Sequence, residues 1–102
     1  MKKSRTLLAA AAALALSASV HAQEFVTVLT GGTSGVYYPM GVALSQIYGK
    51  AMPGVKTSAQ VTKASVENLN LLQAGRGEIA FTLGDSLSDA WKGEPEVGFK
   101  TP

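Results

Sequence analysis

The spacing of apolar and polar positions changes repeatedly along this chain, and the order of the changes predicts its elements. Phe25 to Leu29 is a β-branched apolar run bounded, past Thr30, by glycine, the pattern of a strand buried on both faces. From Pro39 to Met52 the apolar positions Met40, Ala43, Leu44 and Ile47 recur at helical spacing; proline suits the first turn, and Pro53-Gly54 stops the helix. Val55 to Val61 alternates as a second strand. Ser65 is placed to cap a helix with Val66, Leu69 and Leu72 on one face, and Gly75 stands where a left-handed C-terminal cap is wanted. Ile79 to Leu83 reads as a third strand, and Ser86-Leu87-Ser88-Asp89 opens a short helix that passes Trp91 and ends at Gly93. Phe81 and Trp91 are assigned to the core, Arg76 and Glu78 to a solvated turn.

This β-α-β-α-β-α order predicts an α/β fold: a mostly parallel sheet with right-handed crossovers and helices on its faces. Ligands of such sheets bind beyond the carboxyl ends of the strands. Three polar strand-to-helix junctions lie there: Gly31 to Tyr38, Thr62 to Asn68, and Gly84 to Asp89. The first, Gly31-Gly32-Thr33-Ser34-Gly35-Val36-Tyr37-Tyr38-Pro39, is the richest in glycine and hydroxyls. Glycines let backbone N–H groups converge on a ligand, Thr33 and Ser34 add donors, and a helix start adds unpaired N–H groups at its positive end. Together the junctions form an anion cradle, or each is a plain turn with an ordinary Ser, Thr or Asp cap. Tyr37 and Tyr38 either wall the cleft or pack the loop; Asp85 either orients a polar ligand group or caps the last helix; Asn68 either reaches the ligand or bonds locally.

Composition sharpens this picture once the first 22 residues are set apart. Lys2, Lys3 and Arg5, then the ten residues from Leu7 to Leu16, then Val20-His21-Ala22 before Gln23, read as a secretory signal peptide cleaved after Ala22. Its apolar stretch falls short of the roughly 20 residues that span a bilayer, so no permanent anchor is expected and the product is periplasmic. The whole chain carries a formal charge of +2 and a pI near 9.0, but the remaining 80 residues hold six Lys and Arg against seven Asp and Glu. No basic-patch argument for nucleic acid survives that change.

Cleavage also removes His21, the single histidine, and the chain has no cysteine. Ser-His and Cys-His nucleophile pairs, Cys/His zinc sites and disulfides are therefore excluded, and no enzyme is expected. Gly75-Arg76-Gly77-Glu78-Ile79-Ala80 matches G-x-G-x-x-A but links a helix to a strand, the reverse of a dinucleotide site. Gly32-Thr33-Ser34-Gly35-Val36 lacks the final glycine of a nucleophile elbow, and Gly49-Lys50 has no following Ser or Thr, so there is no P-loop. No cofactor is expected.

The run Gly31 to Gly41, then Ser65-Val66-Glu67-Asn68-Leu69-Asn70-Leu71-Leu72, then Ala80-Phe81-Thr82-Leu83-Gly84-Asp85-Ser86, resembles the start of the TAXI family. These are the solute-binding subunits of tripartite ATP-independent periplasmic (TRAP) transporters. The resemblance covers essentially all of residues 23–102. It implies the first lobe, truncated, of a two-lobed type II periplasmic-binding-protein-like fold that closes on a small carboxylate, a glutamate-like amino acid or a dicarboxylate, and delivers it to integral-membrane TRAP subunits. Carried over by motif, Thr33, Ser34, Gly35, Tyr37, Tyr38, Ser65, Asn68 and Asp85 line the first lobe's half of the cleft. One departure is Lys63-Ala64, where the pattern more often has glycine; it implies restricted backbone access there, or a lysine charge in place of an N–H contact. The alternative reading is a periplasmic sensor or scavenging protein that presents its ligand to a signalling partner.

Overall fold

The computed structural model describes residues 23–102; the signal segment predicted over 1–22 lies outside the described residues. Three parallel strands, β1 (Glu24–Leu29), β2 (Val55–Gln60) and β3 (Ile79–Ala80), are arranged in the order β2-β1-β3. Helices α1 (Tyr37–Ala51), α2 (Ser65–Gln73) and α3 (Gly84–Lys92) follow them in turn, and a 3-10 turn at Pro95–Val97 comes last. The α/β class and the parallel sheet predicted from the alternating periods are what the chain adopts. β1 is central: it pairs with β2 from Glu24↔Val55 to Leu29↔Gln60, but with β3 only at Val28↔Ile79 and Leu29↔Ala80.

That short second pairing corrects the prediction of a strand buried along its length. Only the rungs flanked on both sides are dry: Val28, Leu29 and the following Thr30 are inaccessible, while Phe25 is 58% exposed. The core therefore sits at the carboxyl end of β1, directly beneath the strand-to-helix junctions.

The helical spacing predicted for α1 is correct and the predicted face is not. Met40, Ala43 and Ile47 are exposed; the buried positions are Gly41 and Ser45. A Cβ at Gly41 would collide with Thr30 Cγ2, and one at Gly49 would stand 3.0 Å from Thr57 Oγ1. The stripe Gly41-Ser45-Gly49 at i, i+4 and i+8 thus lets the helix axis lie closer to β1 and β2 than large side chains allow. Ser45 satisfies its hydroxyl by donating to the Val42 carbonyl at 2.9 Å.

α2 ends as predicted. Gly75 has φ +72°, its N–H donates to the Leu72 carbonyl, and the Arg76 N–H donates to the Leu71 carbonyl, the paired bonds of a Schellman cap. α3 begins at Gly84 rather than Ser86, and Gly93 (φ +70°) ends it. Trp91 is not core but 82% exposed, because α3 lies outside α2 and buries none of its residues fully. The aromatic residue that does enter the core is Phe99. Its segment is held to α2 by Asn70 Nδ2 donating to the Gly98 carbonyl and Gln73 Nε2 donating to Thr101 Oγ1 and the Pro102 carbonyl. Glu78, assigned to a solvated turn, is exposed, yet its Oε2 accepts the Thr27 N–H at 2.6 Å. The two-residue β3 stops short of Thr27, and the carboxylate supplies the acceptor a longer strand would have provided.

Candidate functional site

The three junctions meet. A cavity of about 340 Å³ is lined by Val36 and Tyr37, Ala64 and Ser65, and Leu83. Val36, Ala64 and Leu83 are the N-cap residues of α1, α2 and α3, and none makes a side-chain capping bond. Valine, alanine and leucine rank among the poorest N-caps, each costing about 1 kcal/mol against Ser, Thr, Asn or Asp. Three poor caps on one cleft leave the first-turn N–H groups of three helices without side-chain oxygens from their cap positions. Their positive dipole ends converge on the same space, which suits an anion.

Local chemistry differs among the three starts. α1 has no acidic residue in its first turn. Pro39 has no N–H, and the Met40 N–H donates to the Val36 carbonyl, so Tyr37 and Tyr38 supply the donors of that turn. At α2, Glu67 reaches back to accept the Lys63 N–H at 2.6 Å, and at α3 the Asp85 Oδ1 accepts the Ser86 N–H at 2.7 Å. Both carboxylates already complement their own helix dipoles, so the end with greatest demand for an external negative charge is that of α1.

The predicted site residues separate into groups. Tyr37 and Ser65 line the cavity. Tyr37 also stacks on Phe81, with ring centroids 5.3 Å apart and planes inclined by 24°, so it is a wall held from behind. Ser65 is buried and is not the cap of α2: it occupies the first helical position, and its Oγ accepts the Leu83 N–H at 3.0 Å, tying the second junction to the third. Thr33, Ser34 and Gly35 are exposed on a turn closed by the Gly35 N–H donating to the Gly32 carbonyl at 3.0 Å, just ahead of the Val36 wall. Tyr38 is half-buried on the first turn of α1 and is outside the lining. Asp85 is exposed on the first turn of α3, bonded locally. Asn68 is fully buried beneath the cleft, with its amide committed to other protein groups.

Sequence reasoning missed Val36, Ala64 and Leu83, because a search for capping oxygens passes over apolar residues. One signal was present: Ala64 occupies a glycine-favoured position. It is the only non-glycine residue with positive φ among the described residues, at φ 71° and ψ −146°. The backbone there keeps a glycine-like conformation despite the Cβ, at the expense of strain, while the Lys63 and Ala64 N–H groups are taken by Glu67 Oε2 and Thr62 Oγ1. The described residues hold no group of three His, Cys, Asp or Glu able to bind a metal.

Residues 28–102 match the family model described as NMT1-like. The matched span contains all three junctions and every residue that lines the cleft.

Proposed function

Because this chain belongs to the NMT1-like family, a periplasmic-binding-like family, we propose that it is an exported solute-binding protein whose cleft takes the carboxylate of a small organic acid. The observation that carries the reading is the convergence of three helix starts with apolar, non-capping residues on one cavity. The ligand carboxylate takes the place of the missing capping oxygens where the three starts converge, and the Ser65 hydroxyl and the wall of Tyr37 fix its orientation. No covalent step is involved; the work is capture and release.

In the fuller form of this reading the protein is of the TAXI type, and a second lobe closes over the ligand and presents it to integral-membrane TRAP subunits. Two of the cleft's walls, Val36 and Leu83, are 70% and 57% exposed, so a ligand held by these residues alone stays partly solvated, and a covering surface completes its burial. Export after cleavage behind Ala22 places the protein where such a partner works.

The test replaces an apolar cap with a real one. Leu83 has the extended backbone (φ −75°, ψ 150°) of an ordinary N-cap, so Ser or Asp there can bond to the Asp85 N–H in the first turn of α3 or compete with the Asp85 carboxylate for the Ser86 N–H. Calorimetric titration of the full chain with succinate and with glutamate is expected to show Leu83→Asp at least tenfold weaker than wild type and Leu83→Ser between the two. Neither variant should melt lower than wild type, since a cap adds about 1 kcal/mol. Unchanged affinity in Leu83→Asp removes the carboxylate reading.

A further inference from the structure

We infer that Asn68 is the positioning residue of the cleft: it touches no ligand, and it fixes the mutual spacing of the three helix starts that form the site. The inference rests on the proposed binding role for its functional meaning, but the geometry behind it is independent of any ligand. Asn68 is 0% exposed. Its Nδ2 donates to the Thr30 carbonyl at 2.6 Å and to the Phe81 carbonyl at 2.8 Å, while its Oδ1 accepts from Thr62 Oγ1 at 2.5 Å. Thr30 immediately follows β1, Thr62 lies two residues beyond β2, and Phe81 immediately follows β3. One amide thus holds the carboxyl ends of all three strands, and each partner lies at the base of one of the loops that lead into α1, α2 and α3. Both amide hydrogens are used, so there is no slack in the arrangement.

The same residue pins the strained second junction. The Asn68 backbone N–H donates to the Ala64 carbonyl at 2.9 Å, and the Ala64 N–H donates to Thr62 Oγ1 at 3.0 Å. With the Thr62 hydroxyl donating in turn to Asn68 Oδ1, the bonds run from Ala64 to Thr62 to Asn68 and back to Ala64. A non-glycine residue at positive φ persists only where its surroundings over-determine it, and this loop of bonds does so. A neutral amide suits the task because it combines two donors with an acceptor on a short, rigid arm. Aspartate has the same shape but turns an oxygen toward the two carbonyls, and leucine leaves the Thr30 and Phe81 carbonyls and the Thr62 hydroxyl hydrogen without the amide as partner.

The experiment follows the backbone amide signals of Tyr37, Ser65 and Leu83 by NMR in the full chain, together with succinate binding by calorimetry. Asn68→Asp is expected to shift all three amide signals and to weaken succinate at least tenfold. Phe99→Leu, a buried change outside the junctions, serves as a control for lost stability and should leave the three signals and the affinity within twofold of wild type. Where Asn68→Asp does not fold, Thr62→Val and Thr62→Ser decide: the valine variant loses the contact to Asn68 and should shift Ser65 and Leu83, and serine, which keeps the hydroxyl, should restore them. Shifts confined to α2, or Thr62→Val indistinguishable from Thr62→Ser, overturn the inference. If wild type binds neither succinate nor glutamate, the carboxylate reading falls, while the amide signals still decide the role of Asn68.

Discussion

Ala64→Gly should make this protein more stable, even though glycine gives the unfolded chain more conformational freedom to lose. Ala64 sits at φ 71° and ψ −146°, a region in which a Cβ is crowded by the backbone and which costs a non-glycine residue on the order of 1–3 kcal/mol. Glycine removes that cost. Against it stand the larger conformational freedom of glycine in the unfolded chain, about 0.4–1 kcal/mol, and the loss of one half-buried methyl, about 0.4 kcal/mol at half the burial value of a CH₂. The balance is a gain of about 1 kcal/mol at mid-range, or a rise in Tm of about 4–8 °C for a domain of this size. Thermal unfolding of the full chain followed by circular dichroism measures it. Ala64→Val provides the opposite arm, because a β-branched side chain fits positive φ worse than alanine, and it should melt well below wild type. A melting temperature for Ala64→Gly at or below that of wild type would refute the idea that strain is stored at this junction.

Further expectations concern packing, the sheet edge and export. Gly41→Ala should lower stability by about 1–3 kcal/mol despite alanine's better helix propensity, since the new methyl runs into Thr30 Cγ2; chemical denaturation reads this as a lower midpoint at constant slope. Gly77→Ala should do the same in the turn ahead of β3, where a Cβ would stand 2.6 to 2.9 Å from three carbons of Leu29, and a neutral result would show that Leu29 has room to turn aside. Glu78→Ala should raise hydrogen exchange at the Thr27 N–H while leaving the cleft unaltered, because the carboxylate is that group's acceptor. Intact-mass analysis of exported protein should show a chain that begins at Gln23; a retained Met1 start would contradict the signal-peptide assignment.

The sequence by itself determined the order of elements, the parallel sheet and the three junctions. Each of these depends on information carried within a few neighbouring residues: the period of the apolar run in Phe25–Leu29, the stop at Pro53-Gly54, and the glycine at 75 that alone tolerates the left-handed end of α2. Tertiary structure decided which faces are buried and how the junctions are finished. The apolar period of α1 identified a helix, but the sheet receives its small-residue stripe, Gly41-Ser45-Gly49, because close approach outweighed the area of Met40 and Ile47. Trp91 had the composition of a core residue and lies outside, whereas Phe99, in a stretch without periodicity, is buried against residues remote in sequence. The cleft follows the same division. Tyr37 and Ser65 were legible from their junctions. The apolar caps Val36, Ala64 and Leu83 were not, because their importance lies in bonds they leave unmade at a place where three helices begin together. Nor was Asn68 legible as the tie among three strand ends, since hydrogen bonds that close over 6, 13 and 38 residues exist only once the sheet has brought those ends into one place.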